Sequence, residues 1–552
     1  MIPLLLIACG GAEYATLDTA TVSATPEVPE VSAAPTHTDA LSPPRLLRRV
    51  SLDITGQLPS IEDLDAVEDN PEVLKDLRAQ YLKSDAFTPR FVNLLGERWH
   101  TQIDAFNARV TDFGFEVRDE FKFERSAGDE PLRLMAWVAA NNHPWTEILT
   151  ADHTVANGYL SEILSLDRSI DSDEWEVAKY TDGRPPAGVL STTGLWWRYY
   201  TTNSNMNRAR AAAISDLLLC NDFLSRPIAF SESASLASDE SPDLAVKTDD
   251  GCIACHSSLD PLAATLFGFW WNPLESSAEL TRYHPEREPL GAAWLDVEPS
   301  FFGTPVQNLT DVAWEIAADS RFRRCTVETM ASLLWRRPLD ESEFDQISDL
   351  TASFEANGMR MHRLIETLID TPQYQAGSFN SRASDEDKLR EQIIRMLSPD
   401  QLSRLIKDLT GFEWTWRGYN QLENDELGYR VLAGGIDGQE VFTSQEDASL
   451  SWALVILRMS QFAADQAVRN ELENGQTRHL FEAISLDDQP DDPVFIAELD
   501  QLHWRLFGSR ADSDWREDIS QLWLDIHENS GPEAAWKGVL SALFSDPEFV
   551  SY

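Results

Sequence analysis

Along almost the whole chain the apolar residues recur with the 3.6-residue period of a helix, and alternating runs with the two-residue period of a strand are few. A helix with one apolar stripe must bury it against another element, so the expected fold class is mainly α, built as a multi-domain array of helical-hairpin modules. At 552 residues the chain has room for about three or four units, each with its own core.

Taken in order, residues 10–42 are Ala, Thr, Pro, Val, Glu and Ser without helical period, and read as a flexible tether. A helix follows with apolar residues at Leu46, Leu47, Val50 and Ile54, stopping at Gly56. Ser60-Ile61-Glu62-Asp63 has the capping-box form and opens the next helix. A further helix is expected from Glu130, ended by Asn141-Asn142-His143-Pro144, and the acidic run Asp167 to Pro186 reads as a loop. The boundaries expected are an N-terminal helical module at 43–160, a central module at 161–300, a helical module at 301–377 and a C-terminal module at 388–552. Two stretches repeat. Leu47-Arg48-Arg49-Val50-Ser51-Leu52-Asp53-Ile54-Thr55-Gly56 aligns with Leu402-Ser403-Arg404-Leu405-Ile406-Lys407-Asp408-Leu409-Thr410-Gly411, and helix ends near Phe87, Tyr374 and Phe549 share an apolar pair, a short turn and an aromatic.

The central module carries Cys252-Ile253-Ala254-Cys255-His256, the spacing of c-type haem attachment. In that chemistry Cys252 and Cys255 form thioethers with the haem vinyl groups and His256 is the proximal iron ligand, which makes haem c the expected cofactor. A redox dithiol, a disulfide or half of a zinc site remain open for the same residues. Met206, Met330, Met359 and His284 are candidates for the distal ligand, and no spacing selects one. Arg208 and Arg210 have the planar donors that grip a haem propionate, although ordinary ion pairing is the favoured reading of them in so acidic a chain. The aromatic run Phe267 to Trp271 suits either the dry wall of a haem crevice or plain core.

Lys and Arg number 45 against 92 Asp and Glu, a net charge of −47. Such a surface repels nucleic acid and anionic lipid, so neither is an expected partner. The run Met1 to Cys9 resembles a bacterial lipoprotein signal, with a lipobox at Leu6 to Cys9 and Cys9 as the acylated residue; a frayed apolar N-terminus is the alternative. The expected location is the extracytoplasmic side of a bacterial envelope, anchored by lipid alone. Of five cysteines, Cys220 and Cys325 then remain, as one disulfide or as two buried thiols.

Several motifs resemble one family, the large secreted planctomycete-type cytochrome c proteins of unknown function. They are Arg48-Arg49-Val50-Ser51-Leu52-Asp53-Ile54-Thr55-Gly56, Gly96-Glu97-Arg98-Trp99, Thr146 to Asn157, Gly188 to Gly194 with Asn207-Arg208-Ala209-Arg210, and Cys252 to His256 with Leu259-Asp260-Pro261-Leu262. The resemblance covers about residues 45–376 and implies a modular protein with one cytochrome c-like haem-attachment segment.

No G-x-S-x-G, P-loop, H-E-x-x-H or Rossmann glycine pattern is present, so no catalytic residue is named. Two functions remain in view. The first is electron transfer by a monohaem lipoprotein to an envelope redox partner. The second is a haem-free adhesion or polysaccharide-contact protein using Trp196-Trp197, Trp270-Trp271 and Trp414/Trp416.

Overall fold

A computed structural model describes residues 37–106, 108–223, 225, 245–271, 275–390, 393–445, 447–476 and 478–552. Cys9 and most of the expected tether lie outside the described residues, as does 231–244. Helices take up 60% and strands 6%, so the chain is mainly α. Among the described residues no helix is long and apolar enough to cross a membrane.

The opening helix, Pro43–Ile54, starts behind Ser42 with proline in its first turn, where the absent N–H has no intrahelical partner to lose. It ends as the sequence indicates. Thr55 Oγ1 donates to Ser51 O at 2.7 Å, and Gly56 takes the left-handed conformation at φ 70° that lets the chain turn away. Order begins earlier than expected: Thr38–Ala40, assigned above to the tether, is a strand antiparallel to Ala376–Phe379. Three residues carry no period of their own, and the partner that orders them lies more than 330 residues away.

Arg48 and Arg49 of this helix are buried and spend donors on distant carbonyls. Arg48 Nε, Nη1 and Nη2 donate to Leu506 O, Ser551 O and Phe549 O, each at 2.9 Å. Arg49 donates to Tyr374 O at 2.6 Å, Ala376 O at 2.8 Å and Ile393 O at 3.0 Å. Asp53 accepts from the hydroxyls of Tyr374 and Tyr552. A buried cation is tolerated when its donors are met; the Arg48 fork meets backbone with all three nitrogens, and Arg49 with both of its Nη groups.

The sequence repeat is also a repeat of how each unit closes. Pro399–Thr410 starts behind Ser398, Thr410 Oγ1 donates to Ile406 O at 2.7 Å, and Gly411 sits at φ 68°. Leu41 N, just before the cap Ser42, donates to Gln375 O at 2.9 Å, and Leu397 N, just before the cap Ser398, donates to Val550 O at 3.0 Å. Gln375 and Val550 each follow the aromatic of the second repeated stretch, Tyr374 or Phe549, both fully buried. Two units of one plan result, 37–379 and 393–552. Arg49 clasps the closure of the first, and Arg48 that of the second.

The main apolar cluster runs from Val50 to Tyr374 and takes residues from all three segments 43–160, 161–300 and 301–377. A second cluster holds Leu397 to Val550 together with Leu52 of the opening helix. Two local expectations are corrected. The helix expected from Glu130 is Glu120–Ala140, because tertiary packing buries Phe123, Glu124 and Ala127 ahead of the visible apolar period. Within the expected loop, Glu176–Ala178 pairs with Thr154–Ala156 as strands. Cys220 and Cys325 are joined by a disulfide, Cα to Cα 5.2 Å, linking the end of helix Arg208–Leu219 to helix Ser320–Trp335.

Candidate functional site

The haem-attachment spacing lies in helix Asp250–Ala264. Asp249 caps it by accepting the N–H of Gly251 at 3.0 Å, and Asp250 adds a carboxylate to the first turn, where the helix dipole favours one. The helix is divided along its length. Its first turns, with Cys252, Cys255 and His256, are half-exposed, whereas Leu259 to Ala264 are buried against helices Arg208–Leu219 and Glu288–Leu295 and the strand Ser300–Phe301. Pro261 sits inside it, and the carbonyl it leaves free belongs to the exposed Ser257.

Cys252 and Cys255 are free thiols about one turn apart. Slight burial, with the Asp249 carboxylate beside it, holds the Cys252 thiol above its usual value, so it stays protonated at neutral pH. His256 Nδ1 lies 2.8 Å from Asp260 Oδ1, one turn further along. Asp260 is itself gripped by Arg208, Nε to Oδ1 at 2.8 Å and Nη2 to Oδ2 at 2.9 Å. Burial alone would raise the Asp260 carboxyl, but the hydrogen bonds from Arg208 and His256 outweigh it and hold it below the usual range. An ionised Asp260 can only accept, so Nδ1 carries a proton, and in the neutral imidazole Nε2 is then the nitrogen with the lone pair. The site fits haem attachment on that ground: two free thiols on an open helix end, beside an imidazole fixed in the tautomer a metal ligand needs.

Asp260 and Arg208 are the positioning residues that motif reading missed. The H-x-x-x-D spacing of His256 and Asp260, which stacks two side chains on one helix face, was the available signal.

The other candidates have partners of their own. Arg208 makes the ordinary ion pair that the sequence favoured, with Asp260, and Arg210 spends its donors on Tyr199 O, Phe269 O, Trp196 O and Asn207 Oδ1, so neither grips a propionate. His284, 2% exposed, has Nδ1 at 3.1 Å from Glu286 Oε1 and Nε2 at 3.2 Å from Glu279 O, which leaves neither nitrogen for iron. Met330 is buried in the main cluster, and Met206 and Met359 pack against it. Phe267 and Trp270 are core, stacked with ring centroids 5.1 Å apart. Trp196 and Trp197 are buried with their indole N–H groups on Leu190 O and Leu280 O, which removes them as a contact surface; Trp416 alone of the tryptophans named is exposed.

Compared with protein-family models, with curated proteins and with solved structures, the chain matches none.

Proposed function

We propose that this chain is a lipid-anchored, extracytoplasmic monohaem c-type cytochrome that relays single electrons to a partner in the bacterial envelope. The observation that carries the reading is the triad His256–Asp260–Arg208 behind the two free thiols. Metal-ligating histidines are characteristically oriented by a carboxylate on the second ring nitrogen, and that carboxylate is anchored in turn. Cys252 and Cys255 would hold the haem covalently and His256 Nε2 would be the iron ligand, and the bound group would supply a one-electron redox centre. The chain does the rest. Asp260 keeps the proton on Nδ1 and makes the imidazole a better donor, and the buried half of the helix fixes the motif on a packed core.

The disulfide Cys220–Cys325 supports an oxidising compartment, since such bonds do not persist in a reducing cytoplasm. The modules of planctomycete-type cytochrome c proteins that the sequence resembles agree with the same location. A net charge of −47 favours a basic redox partner whose association weakens with salt.

The test is to produce the chain in a host with cytochrome-maturation machinery. Haem that survives denaturing electrophoresis, a reversible one-electron reduction, and loss of covalent haem in Cys252→Ser with Cys255→Ser are the expected results. A colourless protein from that host would overturn the reading.

A further inference from the structure

The second unit carries a helix that is apolar on both sides. Leu450–Ala467 starts behind Ser449, which accepts from Trp452 N at 3.1 Å, and buries Trp452, Val455, Ile456, Met459 and Ala463 in the second apolar cluster. On the opposite side Leu450 is 79%, Leu454 59%, and Leu457 and Phe462 each 42% exposed. The spacing i, i+4, i+7 sets the three leucines in one stripe. Phe462 carries the face sideways onto the half-buried Phe412 and Trp414, each with its ring centroid 6.2 Å away, and Glu413 between those two is paired with Lys407. The haem-attachment helix belongs to the other unit, so this face serves no step of the relay.

The chain averages one carboxylate in six residues, 92 in 552, yet residues 448–464 hold none. The one charge between Asp447 and Asp465 is Arg458, whose guanidinium lies over the Phe462 ring at 5.2 Å. Depletion of charge around an apolar centre is the composition of an interface core. It also selects the occupant. A basic protein needs carboxylates to meet it, and this helix face offers an arginine; an anionic leaflet repels a chain of net charge −47. Two copies of so acidic a chain repel each other as well, but this helix face lets them meet without setting carboxylate against carboxylate.

The area is sufficient. With the exposed Ala453 and Gln461 and the rings beside it, the face offers on the order of 600 Å² per copy, the upper end of what a monomer leaves uncovered, and a symmetric pair would bury about 1,200 Å², the lower end of specific interfaces. Leu454 and Leu457 stand at the middle of the stripe from Leu450 to Gln461. Antiparallel pairing about a two-fold axis there sets Leu454 of each copy opposite Leu457 of the other, and Leu450 opposite Gln461.

We propose that this helix face joins two copies of the chain in a symmetric dimer. The experiment is analytical ultracentrifugation of the full chain carrying Cys9→Ser, so that acylation cannot gather copies. The mass should rise from monomer to dimer between about 1 and 100 µM, as fits an interface of the smallest specific class. The dimer should tighten as sodium chloride is raised from about 0.05 to 0.5 M, because salt screens the repulsion between acidic copies. Leu454→Glu places two like charges at the centre and should weaken association at least about a hundredfold, with the helical circular dichroism unchanged. Trp314→Glu, at a side chain of the first unit that is 60% exposed, should leave the dimer intact. The proposal is overturned by a monomer at every concentration, whether free or bound to neutral phosphatidylcholine vesicles, by a dimer that loosens with salt, by one that persists in Leu454→Glu, or by one lost equally in Trp314→Glu.

Discussion

Replacing Asp260 by Asn keeps the shape of the side chain and removes the charge that both neighbours use. Three contacts are affected, two from Arg208 and one from His256. Hydrogen bonds to charged groups contribute about 1.5–3 kcal/mol each, and an Asn oxygen still accepts one of them. Arg208 is 18% and His256 24% exposed, so water recovers part of the loss. The expected net destabilisation is about 2–3 kcal/mol at pH 7, read as a lower urea midpoint by tryptophan fluorescence. The pH dependence has a definite sign. Asp260 titrates below its usual value in the folded chain, so its ionised form stabilises the fold at every pH above the unfolded value of about 3.9, and this contribution fades as pH falls through the lower folded value. Wild type and Asp260→Asn should therefore differ at pH 5–8 and converge in stronger acid. In haem-loaded protein, the freed imidazole becomes a poorer donor and the reduction potential should rise. An Asp260→Asn protein with the wild-type midpoint at pH 7, or with a gap that persists unchanged in strong acid, would refute the reasoning.

Removing the disulfide with Cys220→Ser and Cys325→Ser opens a loop spanning 105 residues, and should cost up to about 4 kcal/mol without reductant. The same pair of proteins should unfold together once dithiothreitol is added. Burial pushes the Glu124 carboxyl up to about 8, so its contribution is greatest below the unfolded value of about 4.3 and is lost as pH rises toward 8. Glu124→Gln should flatten that decline and stabilise the protein at pH 9 by about 2 kcal/mol, measured by urea titration at several pH values. Arg48→Lys replaces a fork that serves three carbonyls at 2.9 Å with a single ammonium, and should cost about 3 kcal/mol. Limited proteolysis should then release 393–552 faster than from wild type; equal rates would show that the opening helix does not hold the second unit.

What the sequence determined by itself is what operates within a turn or two of chain. The 3.6-residue period specified helices, Ser60 capped its helix by accepting from Asp63 N at 3.1 Å, and Gly56 and Gly411 stopped theirs, because each signal acts through neighbouring backbone groups. The repeat was legible for the same reason, as two copies of one local pattern. The positions of Cys252, Cys255 and His256 were legible too, and His256 with Asp260 one turn apart lay in plain view. Tertiary structure alone decided the partners. Arg48 and Arg49 look like any helical surface pair until carbonyls more than 300 residues away reach them, and Arg210 became a core tie to three backbone carbonyls of two other segments. The strand Thr38–Ala40 exists because Ala376–Phe379 supplies its hydrogen bonds. Glu120–Arg125 is helical because packing around Phe123 outweighs a weak local period. A guanidinium or an unpaired strand binds whatever acceptor the folded chain delivers, and only the packing of distant segments sets which acceptor that is.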